Sequence, residues 1–210
     1  MGLDYSIITF VKKEKLSDSL SWLNKNSNGI SKAILKLENE NYIDVSGDYF
    51  KEKIIHDINK LNFSTSLVFD VDPEIFTSIY NPYCQDPVSD FKEYFQNIYL
   101  GNGKISIGSF DASIIKHKDH DVYELSFSAV TTTMSIMLDS SLSVRNWLHE
   151  FSIVSDSIVT FIDLESSGHK IVFYKGKKVE IIDENPNDDS RNIEENYLNE
   201  YYKLIAYYYE

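Results

Sequence analysis

The sequence predicts an α+β domain: a mainly antiparallel sheet with helices packed on one face, followed by a C-terminal amphipathic helix. Three observations predict it. Apolar and β-branched residues recur at strand period through much of the chain. Short polar turns such as Glu38-Asn-Glu-Asn41 and Ser166-Ser-Gly168 join neighbouring runs as hairpins. Hairpins outnumber strand–helix–strand units, which favours antiparallel pairing with the helices kept to one side.

The elements follow in order. Tyr5–Val11 is apolar and β-branched, a strand. Leu16, Leu20 and Leu23 recur at helical spacing, and Asn26-Ser-Asn-Gly29 ends that helix with Gly29 suited to a left-handed cap. Ala33–Leu37 and Tyr42–Val45 form a hairpin. Asp48 is placed to cap a second helix carrying a stripe of Phe50, Ile54, Ile58 and Leu61. Phe63–Val71 is a strand. Asp72-Pro73-Glu74 reads as a helix start, with Asp as cap, Pro in the first turn and Glu at the positive end of the dipole. Phe91, Phe95 and Ile98 mark a further helical stretch. Lys104–Lys116 and Asp121–Thr131 alternate as two strands around a solvated turn. Val144, Leu148 and Phe151 give a helix. Ser157–Leu164 and Lys170–Tyr174 are strands, and Val179–Ile182 is one more. Residues 1–182 therefore read as one domain and 183–192 as an acidic linker. In the C-terminal helix, 193–210, Ile193, Tyr197, Tyr201, Leu204 and Tyr208 form an aromatic stripe.

The composition bounds the function. The chain has 210 residues, enough for one well-buried domain and short for two. Its formal net charge is −13. That disfavours nucleic acid, whose non-specific binding rests on Lys and Arg at phosphates, and equally an anionic membrane surface. It suits a partner with a basic surface, or simply keeps the chain soluble. Aromatic residues make up 14%, including 15 Tyr and 12 Phe, a supply that fills cores or interfaces. The one cysteine, Cys84, permits no intrachain disulfide, which fits a reducing, cytoplasmic setting. MGLDYSIITFVKK has no basic region ahead of its apolar run and reads as a first strand, not a signal peptide, although Gly2 and Ser6 match the loose myristoylation pattern. No apolar run approaches the roughly 18 residues of a membrane span.

Several residues invite a chemical reading. Thr131, Thr132 and Thr133 stand at a strand-to-helix joint, where hydroxyl nucleophiles are often found. The flanking residues are Val130 and Met134, without the glycines of a nucleophile elbow, so a threonine here reads as a helix cap. His117, Asp119, His120 and Asp121 form the densest ligand-like cluster. Strand positions three apart point to opposite faces, so a solvated hairpin tip is expected there instead of zinc. Asp70 and Asp72 share a strand face and have the chemistry for Mg²⁺. No phosphate-binding loop accompanies them, since Gly101, Gly103 and Gly108 lack the Lys-Ser/Thr ending. Cys84 has Asp86 beside it, not the positive charge a reactive thiolate needs. Arg145, one of two arginines with Arg191, follows a serine-rich turn and can hold an anion or a carboxylate.

Two blocks, MGLDYSII at the start and ELSFSAVTTTMSIML with SLSVRNWL after it, resemble a group of bacterial proteins that open with MGLDYS and carry a middle segment like SFTAATSRMS…SPSIR. The resemblance covers about a fifth of the chain. It implies a bacterial source and supplies no activity, cofactor or catalytic residue.

Together these features favour a non-catalytic, acidic binding protein, in its most concrete form an immunity-type or regulatory inhibitor of a basic protein partner. No catalytic, cofactor or metal residue is assigned. The residues marked for interaction are Arg145, Trp147, Tyr197, Tyr201 and Tyr208. The alternative is a hydrolase or metal-dependent enzyme using Asp70 with Asp72, or the His117–Asp121 turn.

Overall fold

The computed structural model describes residues 4–37, 42–56, 59–72, 87–117, 121–165 and 168–179, with the backbone alone for 87–92. The predicted start of a helix after Asp72, Cys84, the linker and the C-terminal helix lie outside these residues.

The described chain is α+β, built on a mainly antiparallel sheet. Its strands are β1 (Ser6–Lys12), β2 (Ser31–Lys36), β3 (Tyr42–Gly47), β4 (Ile54–Ile55), β5 (Lys60–Ser66), β6 (Phe69–Asp70), β7 (Tyr99–Gly101), β8 (Lys104–Ile105), β9 (Ser109–His117), β10 (Val122–Ala129), β11 (Val159–Asp163), β12 (His169–Tyr174) and β13 (Lys177–Lys178). Seven of them form one sheet in the order β13-β12-β11-β1-β10-β9-β5, with every neighbouring pair antiparallel. A small sheet, β3-β2-β4, and a third, β6-β8-β7, flank it. The helices are α1 (Leu16–Lys25), α2 (Pro87–Ile98), α3 (Thr132–Ser140) and α4 (Leu142–Val154).

The helices pack on one face of the large sheet. The buried apolar side chains of α1, α3 and α4, with Ile98 of α2, all join one core cluster. Alternation in the strands supplies the other half: Ile7 and Val11 from β1, Leu125 and Phe127 from β10, Phe110 and Ile114 from β9. At its centre Trp147 of α4 sits within 4.9–6.5 Å, ring centre to ring centre, of Trp22, Phe69, Phe127 and Phe151. Tilted and edge-on aromatic contacts of this kind add to the stabilisation from burial alone. The opposite face carries a second, smaller cluster of Ile8, Phe10, Val122, Val159, Phe161 and Ile171.

A buried hydroxyl group of four side chains ties α4 to the sheet. Thr160 Oγ1 lies 2.6 Å from Thr9 Oγ1, 2.9 Å from Ser157 Oγ and 2.8 Å from Ser152 Oγ, which donates to it. All four residues are buried. Hydroxyls suit such a site because each both donates and accepts.

Several sequence expectations are corrected. No helix starts at Asp48. Tyr49 takes a left-handed conformation (φ 63°), and Ile54–Ile55 pairs as a parallel strand with Ile34–Leu35. The stripe has helical spacing, but Ile54 stands in β4 facing outward, Phe50 stacks on Phe63, and Leu61 begins the inward alternation of β5, while Ile58 lies outside the described residues. Gly29 is not a helix cap, because α1 ends at Lys25 with Asn26 as its C-cap. Gly29 is needed for close approach: a Cβ there would lie 2.3 Å from the Gly47 nitrogen. The predicted strand Phe63–Val71 divides into β5 and β6, and Lys104–Lys116 divides into β8 and β9. The second break sits at Gly108 (φ 142°), where a Cβ would meet the Met134 sulfur at 2.6 Å. The bend therefore makes room for α3 on the sheet.

Candidate functional site

The joint after β10 is a helix cap. Thr131 is extended, and its Oγ1 accepts a hydrogen bond from the Met134 backbone N–H at 3.2 Å, the geometry of an N-cap. Ten residues on, Ser141 caps α4, its Oγ accepting from Val144 N–H at 3.3 Å. Asp72 joins the same helix start from a distant part of the chain. Its Oδ2 accepts from Ser143 N–H at 2.6 Å and from Ser141 Oγ at 2.7 Å. A carboxylate at the positive end of α4 satisfies an otherwise orphaned donor and complements the helix dipole.

Asp70 and Asp72 therefore do separate work. Asp70 is exposed and pairs with Lys104 at 2.7 Å across the β6–β8 ladder, while Asp72 turns to α4. Arg145 lies half-buried in the first turn of α4, its backbone N–H donating to Ser141 O. Trp147 is only 6% exposed and belongs to the aromatic core, not to a surface. Tyr197, Tyr201 and Tyr208 lie outside the described residues.

Asp119 and His120 of the predicted cluster lie outside the described residues. His117 departs from the solvated-tip expectation. It is 2% exposed on the second face of the sheet, where its ring lies 5.5 Å from that of Phe10 and its Nε2 sits 3.0 Å from Glu124 Oε2. The physical reason is register: His117 opposes Val122, so β9 stays paired to its last residue and the side chain points onto the sheet. Asp121 is exposed and pairs with Lys13 at 3.9 Å, on the rim of an open cleft of about 330 Å³ lined also by Glu14, Ser17, Leu37 and Tyr123. Among the described residues no three His, Cys, Asp or Glu side chains converge as a metal site, and no helix is long and apolar enough to cross a membrane.

Among the described residues acidic and basic side chains nearly balance, 18 Asp and Glu against 17 Lys and Arg, so most of the net charge of −13 belongs to residues outside them. Asp4, Asp44, Glu52, Asp111, Glu150 and Glu165 are exposed, and their carboxylates enter no ion pair among the described residues. They sit on different elements of the described chain. The small sheet presents a contrasting surface. Ile34 and Ile54 stand side by side on its outward face at 38% and 44% exposure, and Tyr42 opposes Lys36 nearby. Sequence reasoning missed this face. Its signal was apolar residues on both sides of one strand, Ala33-Ile34-Leu35, where a half-solvated strand would alternate.

No family model matches the chain, and no curated protein does. A solved structure similar to it is that of the toxic C-terminal tip of CdiA from Pseudomonas aeruginosa in complex with an immune protein. The identity is 13%, over 87% of this chain and 100% of that one, with a TM-score of 0.41. That score is too low for fold or function to be read across.

Proposed function

We propose that the chain is a non-catalytic binding protein that engages a basic protein partner, in the manner of an immunity-type or regulatory inhibitor. The observation that supports the reading is the net charge of −13 over the whole chain. A field of one sign raises the rate of encounter with an oppositely charged partner and repels acidic competitors. The half-buried serines of β9 and β10 and the exposed Asp111 add hydrogen-bonding groups on the second face of the sheet.

The residues of the enzyme alternative have structural duties, Asp70 in a lysine pair, Asp72 at the start of α4 and His117 against Glu124. The test is co-expression with the product of the gene immediately upstream. Rescue of growth from a toxic product, with a stoichiometric complex on gel filtration, supports the reading. A non-toxic product that forms no complex, from a metabolic operon, overturns it.

A further inference from the structure

The second face of the large sheet has an apolar patch whose cover can be identified. Ile8, Phe10, Val122, Val159, Phe161 and Ile171 come from four adjacent strands, β10, β1, β11 and β12, so they form one contiguous surface. They are between 0% and 8% exposed, yet no described helix contributes a residue to this cluster. An apolar sheet face must be closed by another layer.

The chain itself supplies a layer of the right chemistry and reach. Val179, the last described residue, packs against this cluster, so the chain arrives at this face. Beyond it lie residues 180–192 and then the stripe Ile193, Tyr197, Tyr201, Leu204 and Tyr208. A helix over 193–208 is about 24 Å long at 1.5 Å per residue. Four strands at about 4.8 Å spacing present a width of roughly 14 Å, so the helix can cross all of them. The thirteen intervening residues reach up to about 45 Å, which leaves the docking unstrained. A helix of this length is marginal in water unless its apolar face is buried. Tyrosine rings can cover the patch while their hydroxyls stay at the wet rim.

We propose that residues 193–208 lie as a helix across the Phe10–Phe161 face of their own chain and close it. The stripe then stabilises the fold.

The test uses the full chain. Leu204→Asp introduces a charge into the stripe, Leu204→Ala is the milder variant should the first not fold, and Asn199→Asp adds the same charge on the opposite side of the helix. Thermal midpoints are read at two protein concentrations tenfold apart. Docking in cis predicts a fall of roughly 5–10 °C for Leu204→Asp, a smaller fall for Leu204→Ala, and no change for Asn199→Asp, all independent of concentration. Unchanged midpoints for both Leu204 variants overturn the proposal. So does a fall that tracks the loss of a dimer, since the stripe would then cover a second copy.

Discussion

The two faces of the seven-stranded sheet are made by alternate residues of the same strands, yet they serve different ends. On one, Ile7, Val11, Leu125 and Phe127 meet three helices and a cluster of aromatic rings. On the other, the strands change character midway. Ile8, Phe10, Val159 and Phe161 form an apolar half, whereas Ser6 pairs with Ser128 and Ser113 with Ser126, each at 2.8 Å, to form a hydroxyl half. Side chains that hydrogen-bond across strands need no cover, so a sheet face can be closed in one half and open in the other. The difference teaches that alternate residues of the same strands can build one face mainly from apolar packing and half of the other from half-buried hydroxyl pairs.

The strongest way to break this comparison is at the helix-covered face. Phe151→Ala removes a fully buried ring that packs on Trp22, Phe127 and Trp147. It should cost about 3–5 kcal/mol in denaturant unfolding, and a cost near zero would mean that this core is not the seat of stability.

Thr160→Val keeps shape but deletes the hydroxyl shared by Thr9, Ser152 and Ser157. Orphaned buried hydroxyls should lower stability by about 1–3 kcal/mol. The control is the double change with Ser152→Ala, which removes a partner as well and should cost less than the sum of the two single changes.

Ser126→Ala lies on the hydroxyl half and takes one member of a half-buried pair. It should change stability by no more than about 0.5 kcal/mol. A loss as large as that of Thr160→Val would show that this half is closed too.

Much of this fold was legible in the sequence. Leu16, Leu20 and Leu23, and Val144, Leu148 and Phe151, have helical spacing and are all buried, because an amphipathic helix must present one stripe to its core. Thr131 was legible as a cap because capping depends only on residues three apart in sequence. The failures share a cause, namely long-range contacts. Ile54 and Leu61 fit a helix locally, but pairing with β2 and β9 claimed them for strands. Gly29 serves a neighbour eighteen residues away, Gly47, and Asp72 caps a helix that begins seventy residues later. Spacing within a window cannot report such partners. The candidate site was less legible still, since His117 and Trp147 are typical interaction residues whose burial only the assembled sheet reveals.

The most direct measurement of the central claim is the rate at which the full chain associates with the purified product of the upstream gene, followed by stopped-flow fluorescence of its two tryptophans across ionic strength. An acidic binder of a basic partner predicts an association rate that falls at least tenfold between low salt and physiological salt, with dissociation little changed. An association rate indifferent to salt, or no binding at any salt, would contradict it.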